Sequence, residues 1–412
     1  MLGKLESCEY SRYRWIVLGV AWLATVSLFI THNIPAGRPH DLIPDLGLSQ
    51  VQYSLTITGP ILGIAVAAML GGALADRYGT RPIIGIGAAL GGLGALFRTF
   101  VDSFGPMFGL SIILGIGTAL VFSNLPKIVA VWFPPKQVGL ATGFYYSGIG
   151  VGTATGLATS GAFATWQQAC LITGIAALIA AALWTILGRS APMTMPGTEL
   201  SVGLRQSLRH SARIKDIWIL FIVLFLSLGA ILSYISSLPV MLQQVHHVPP
   251  RTAALFSSVV VYAEVCGMFL LPMLSDRLGL RKPVVVWSML LSAVLLFLAW
   301  VSAVSMLTWI LGALGGFFCG YLAVLLTFPV ELPAIGPKFA GGAAGIVITG
   351  EHIGGFLFMP YLFTPIAASS PTTAYLVISV TIAIAAIFMI PLHDTGTKLR
   401  SVSIVETRGF LL

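Results

Sequence analysis

The chain has 412 residues, of which 57% are hydrophobic and 9% charged, with a mean hydropathy of +0.95 and a net charge of +8. A soluble domain carries about 25% charged residues, so this composition excludes a soluble globular protein. The basic excess therefore has to be explained in a membrane before a nucleic-acid partner is invoked.

Twelve apolar runs, each near the roughly 20 residues that a helix needs to cross a bilayer, follow in chain order. They lie at 15–35, 52–74, 83–101, 106–125, 140–160, 168–188, 217–239, 253–274, 284–302, 306–328, 342–363 and 373–392. The expected fold class is an all-α polytopic membrane protein with twelve transmembrane helices. No A-x-A-like cleavage site follows the first run, which is expected to be retained. The longest polar interruption divides the chain into an N-terminal six-helix bundle (1–188), a cytoplasmic linker (189–216), a C-terminal six-helix bundle (217–392) and a cytoplasmic tail (393–412).

Basic residues collect in alternate connections. Lys4, Arg12, Arg14, Arg77, Arg81, Lys136, Arg189, Arg205, Arg209, Arg213, Lys215, Arg277, Arg281, Lys282, Lys338, Lys398, Arg400 and Arg408 fall on one side, with Arg38 and Arg251 on the other. This is the positive-inside pattern. It predicts a plasma (inner) membrane protein with both termini cytoplasmic. Four cysteines, in separate segments, suggest neither a disulfide framework nor a metal site.

The two halves repeat. "GGALADRYGTRP" at 71–82 returns as "LPMLSDRLGLRKP" at 271–283, with Asp76 and Asp276 200 residues apart. "PKQVGLATG" at 135–143 aligns with "PKFAGGAAG" at 337–345, and the register carries Gly148 onto Gly350 and Gly152 onto Gly354. Parallel repeats of this kind place a ligand site near the midplane, between halves that rock about it.

With these motifs the chain resembles the major facilitator superfamily over essentially its whole length, which implies two parallel-repeat six-helix bundles. The family's loop motif, G-x-L-a-D-R-x-G-R-[KR], is matched by Gly72, Leu74, Asp76, Arg77, Gly79 and Arg81, with Thr80 in place of a basic residue. The second copy keeps Leu274, Asp276, Arg277, Gly279 and Arg281, with Pro272 where the first Gly belongs. The resemblance implies that these loops form a conformational latch; a merely topogenic basic loop is the plainer alternative. Asp76 is expected at the start of helix 3, where a carboxylate favours the positive end of the helix dipole. The stretch 124–152 resembles helices 4 and 5 of the cyanate-type and nitrate/nitrite-type anion carriers. Two departures leave the coupling mode open: Ser111 replaces the Arg of the proton-symporter motif, and "SGIGVGTATG" lacks the Pro of the antiporter motif.

Nitrate-type carriers hold their anion with arginines on cavity-lining helices, and no such helix here has a mid-span Arg. Arg98 is expected instead to pair with Asp102, four residues on, at the outer surface. Lys127 lies in the cytoplasmic third of helix 4, where it either snorkels to phosphates or captures an anion. With Asn124, Tyr145, Tyr146, Tyr234, Tyr262 and Tyr321 it forms the set of substrate-binding candidates. Glu264 and Glu351 lie roughly 18 and 15 Å into their helices, near the middle of a ~30 Å core. An acid at that depth is a functional-site hypothesis by default; packing as a hydrogen-bonded neutral acid is the alternative. His352 points about 100° away from Glu351 on the helix. These three are the proton-coupling candidates. Glu331 reads as an interfacial charge.

The function expected is a secondary active transporter that moves a small polar or anionic solute by alternating access, with symport as one option. A non-transporting solute sensor of the same fold is the alternative. No G-x-x-x-x-G-K-[ST] loop and no nucleophile–base pair is present, so neither an ATP-driven pump nor an enzyme is expected. No cofactor and no metal is called for. The partners are a small-molecule solute and the lipid bilayer rather than nucleic acid, and a monomer is expected.

Overall fold

A backbone inside hydrocarbon must satisfy its own N–H and C=O groups, which apolar runs of this length achieve as helices. The computed structural model describes residues 12–134, 137–189, 204–302, 305–332 and 334–396, and their regular structure is helical. In the first half these are α1 (Arg14–Asn33), α2 (Pro39–Asp45), α3 (Gln50–Tyr78), α4 (Thr80–Phe97), α5 (Phe104–Phe122), α6 (Leu125–Trp132), α7 (Val138–Ser160) and α8 (Trp166–Leu187). The second half has α9 (Leu204–Ser211), α10 (Lys215–His246), α11 (Pro250–Leu278), α12 (Lys282–Val301), α13 (Met306–Cys319), α14 (Tyr321–Leu325), α15 (Phe328–Glu331), α16 (Gly336–Phe358), α17 (Thr364–Ser369) and α18 (Pro371–Phe388). A π-helical turn, Met359–Phe363, joins α16 to α17.

Among the described residues, 11 helices are long and apolar enough to cross a membrane. The twelfth expected crossing corresponds to α7. At 23 residues it is long enough, but its Gly, Ser, Thr and Tyr content makes it less apolar than the others.

Local chemistry fixes several boundaries. Ser49 and Gln52 form a reciprocal capping box at the start of α3, with bonds of 3.2 and 2.9 Å. The far ends of α3 and α11 are set by Gly79 (φ +90°) and Gly279 (φ +66°), a region that favours glycine. Asp76 and Asp276 therefore stand in the last turns of α3 and α11 rather than at the start of the helices that follow. The expected dipole contact is corrected: both helices run on through the acid until the glycine stops them. Pro126 and Pro329 begin new short helices, so the runs at 106–125 and 306–328 are broken near the same face.

In the first half α1 packs on α7 and α8, α3 on α5, and α4 on α5 and α8. In the second, α10 packs on α16 and α18, α11 on α13, and α12 on α13 and α18. The two sets meet where α7 touches α11 and α3 touches α16.

The sequence repeat reappears as geometry. A Cβ on Gly148 would lie 3.1 Å from Trp22 of α1, and one on Gly152 2.6 Å from the Val26 carbonyl oxygen. Correspondingly, a Cβ on Gly350 would lie 2.7 Å from Phe221 of α10, and one on Gly354 would strike the Phe225 carbonyl. Small residues here bring backbones together, as in membrane helix pairs generally.

The face holding Tyr13, α9 and Asp394 is called here the terminal face. Tyr13 closes the first half there, donating to the Leu187 carbonyl at 2.7 Å. On the opposite face Arg38, buried, forks onto Asp41 and donates to the carbonyls of Ser160, Phe163 and Ala164. Asp41 and Asp45 accept from the backbone and indole N–H of Trp166. These bonds fasten the connection after α1 to the one after α7.

Candidate functional site

The two motif loops are built unequally. In the first copy, Arg81 donates to the Thr185 carbonyl at 2.9 Å and its own carbonyl accepts from the Trp184 indole at 2.9 Å. The Arg77 guanidinium lies 5.2 Å from the Tyr78 ring centroid. Lys127 Nζ donates to the Gly72 carbonyl at 2.6 Å, so this lysine engages the motif segment of α3. The side chain of Asp76 lies outside the described residues.

In the second copy Arg281 is a hub. Its guanidinium grips both Glu331 oxygens at 3.3 and 3.0 Å and meets Asp276 at 2.6 Å. Thr395 donates to Glu331 at 2.7 Å, and Asp394 accepts from the backbone N–H groups of Arg281, Lys282 and Gly396. Burial works to lower the Arg281 pKa, but the Glu331 and Asp276 carboxylates outweigh it and hold the group above its ordinary value. Glu331 is thus no free interfacial charge: it anchors the α11–α12 loop and the segment after α18. Arg277 ends α11, and its side chain is exposed.

At mid-depth, Tyr145 and Tyr146 of α7 stack with centroids 4.8 Å apart, and Phe122 of α5 meets both rings edge-on. Beside them the Trp22 indole donates to Ser147 at 3.1 Å. Glu351 of α16, half-buried, lies within electrostatic reach of the Tyr146 hydroxyl, across the junction of the two halves. His352 turns its Nδ1 to the Ile348 carbonyl of its own helix at 2.9 Å. Glu264 is 7% exposed, within reach of Cys319 and Tyr321 of the same half. The two acids therefore face different neighbours.

Several candidates are placed away from this group. Tyr234 is fully buried, donates to the Leu296 carbonyl of α12 at 3.1 Å, and meets Tyr375 of α18 edge-on. Tyr321 is also fully buried, against Ser227 of α10. Asn124 donates to the Gly71 and Leu120 carbonyls at 3.1 and 2.8 Å, fixing the break between α5 and α6 to α3. In each of these three the side chain turns into its own half. Tyr262 does reach the junction, its hydroxyl 3.0 Å from that of Thr155.

Arg98 is the largest departure from the sequence reading. It is 0% exposed and donates to the Thr31 carbonyl at 3.2 Å and to Ser111 at 2.7 Å, while Asp102 accepts from its neighbour Ser103. The expected surface pair does not form. Thr31 lies in the last turn of α1, whose C-terminal dipole favours a cation.

On the opposite face, a cavity of about 350 Å³ lies between the halves, lined in part by Gln50, Ser54, Ser237, Gln244 and Thr364. Ser54 and Thr364 share a hydrogen bond of 2.6 Å across it. The sequence reading missed Trp22, Phe122, Ser54 and Thr364. Trp22 and Phe221 hold equivalent places, each packed on one of the paired glycines Gly148 and Gly350. Ser54 and Thr364 carry no local signal at all. Among the described residues, no group of three or more His, Cys, Asp and Glu is placed to hold a metal.

Comparison with known proteins agrees with this architecture. The chain is 25% identical over 374 residues to the Cupriavidus necator protein named "Probable sulfoacetate transporter SauU", covering 84% of this chain and 85% of that one. It is 27% identical over 280 residues to the 3-(3-hydroxy-phenyl)propionate transporter of Escherichia coli, covering 67% of each. A bacterial homolog of the human lysosomal transporter Spinster superposes with a TM-score of 0.71 at 16% identity, covering 92% of this chain and 95% of the other, which is a likeness of fold. The profile described as Major Facilitator Superfamily matches residues 17–271, more than half of the chain. The helices, the repeat and this match together make the protein an integral membrane protein that belongs to the Major Facilitator Superfamily.

Proposed function

We propose that the protein is a secondary transporter that carries a small organic anion by alternating access, its two six-helix halves rocking about the junction of α3 and α7 with α16 and α11. The observation that carries this reading is Glu351, an acid within a membrane-crossing helix of one half and within electrostatic reach of Tyr146 of the other. A carboxyl group there can change its proton between the two faces as the halves move. The positive-inside pattern supports a cytoplasmic terminal face.

The solute class rests on the relatives. Sulfoacetate, 3-(3-hydroxy-phenyl)propionate and hexuronate, for which the relatives are named, are all small carboxylates. Resemblance to cyanate and nitrate/nitrite carriers gains no support from these names. Tyr146, Ser147 and Tyr262 would hydrogen-bond such a solute, Tyr145 would back the Tyr146 ring, and Lys127 would attract its charge toward the terminal face. The motif loops, from Gly72 to Arg81 and from Asp276 to Arg281, act as the latch that biases the two states.

Counterflow in proteoliposomes against a panel of small carboxylates, with and without a pH gradient, tests the reading. Glu351→Gln, which mimics the protonated acid, is expected to preserve exchange but abolish pH-driven accumulation. Accumulation by that variant at the wild-type level would make Glu351 a packing residue. Binding without any uptake would favour a sensor.

A further inference from the structure

Among the described residues, the amphipathic helix α9 is held on one face. Ser207 of α9 donates to the Phe339 carbonyl at 3.2 Å and accepts from the Gly342 N–H at 3.1 Å. The His210 ring stacks on Phe339 with centroids 3.9 Å apart, and its Nε2 lies 3.2 Å from the Ala334 carbonyl. Ser207 and Ser211 are buried against the start of α16. Facing away from these contacts, Gln206, Arg209, Ala212, Arg213 and Lys215 are exposed.

A helix long and apolar enough to cross a membrane begins at Lys215, and the turn at 212–214 joins it to α9, so Arg209 lies six residues before that start. Trp218, 46% exposed in the first turn of α10, donates its indole N–H to the Ala212 carbonyl at 2.8 Å. That bond fastens the α9–α10 turn to a ring of the kind that settles at headgroup level. Asp216, half-buried, is the acid of this segment.

We propose that Arg209, Arg213 and Lys215 form a docking surface for the headgroup of an anionic phospholipid in the leaflet at the terminal face. Topology alone requires basic residues in this linker, but it does not require them on one face, with the other face bonded to α16 and a tryptophan beside them. Three exposed cations beside the start of a membrane-crossing helix suit a plane of phosphodiesters. Because α9 is bonded to the helix that carries Glu351, a lipid held here steadies the start of α16. The inference is independent of the solute and of proton coupling.

The test uses the full-length protein in nanodiscs of phosphatidylcholine, with and without phosphatidylglycerol. Native mass spectrometry counts retained phosphatidylglycerol, and hydrogen exchange reads the amides of 204–213. Wild type is expected to retain the anionic lipid preferentially and to exchange more slowly in its presence. Arg209→Gln with Arg213→Gln should weaken that preference roughly thirty-fold, at about 1 kcal/mol per cation near the surface. Arg209→Lys with Arg213→Lys should keep most of it. Unchanged retention in the Gln pair, or its loss in the Lys pair, would overturn the proposal. So would equal protection of α9 by inorganic phosphate in detergent, which would mark a site for soluble anions.

Discussion

Arg281→Gln is expected to destabilise the protein far more than Arg81→Gln, although the two arginines occupy the same motif position. The Arg281 side chain is 16% exposed and that of Glu331 23%, so their paired bonds lie where water screens them little. Charge-assisted hydrogen bonds contribute about 1.5–3 kcal/mol each, and removing one partner strands a half-buried carboxylate. The contact with Asp276 adds less than about 1 kcal/mol, because that side chain is 64% exposed. Together these give a loss of about 3 kcal/mol for Arg281→Gln. Arg81 gives up one exposed bond to a carbonyl, worth less than about 1 kcal/mol. Fluorescence-monitored thermal unfolding of the purified variants compares the two. A loss for Arg81→Gln as large as that for Arg281→Gln would refute the inequality read from the hub. The pH dependence has a definite sign. A cation with a raised folded pKa contributes stability that is fully present below its unfolded pKa and lost only as pH rises through the folded one. The Arg281 contribution should therefore persist undiminished throughout the neutral and mildly alkaline range.

Arg98→Gln is expected to cost about 3 kcal/mol or more because the site is fully buried, whereas Asp102→Asn should change stability by less than about 0.5 kcal/mol; the same unfolding assay separates them. Gly354→Ala should destabilise by about 1–3 kcal/mol through overpacking on the Phe225 carbonyl. Gly345→Ala, with open space around the added methyl, should instead stabilise by roughly 0.5–1 kcal/mol. Ser54→Ala removes the bond to Thr364 across the cavity and should shift the halves apart on that face by about 1 kcal/mol, or roughly fivefold in population. The alkylation rate of a cysteine placed at Gln244, in a background lacking native cysteines, should rise by that factor; an unchanged rate would count against Ser54 as a closing contact.

What the sequence conveyed was mainly one-dimensional. Apolar run length located the helices, and charge alternation gave an expected sidedness. The repeat placed Gly148, Gly152, Gly350 and Gly354, which the structure puts on matching neighbours. Membership of a helix was also readable, as for Glu351 in α16. Azimuth was not, since nothing local says which neighbour a side chain meets. Tyr234 and Tyr321, on α10 and α14, turn inward. Arg98 found the carbonyls at the end of α1, whose approach depends on how α1 and α4 cross. Asp76 and Asp276 were misplaced for another reason: the turn was assigned to the motif as a whole, while the backbone breaks only at the glycine that follows.

The glycine contacts between α1 and α7, and between α10 and α16, also determine where a spectroscopic ruler is informative. At Gly152 and Gly354 the facing backbones approach within a few ångströms, which leaves little slack for sliding. A pair of nitroxides on α1 and α7, or on α10 and α16, should therefore give one narrow distance under every solute and pH condition. A pair on α7 and α11, helices of different halves, has no such constraint and should broaden or shift with the transport cycle. The intra-half pair then acts as a calibration standard carried within the same molecule.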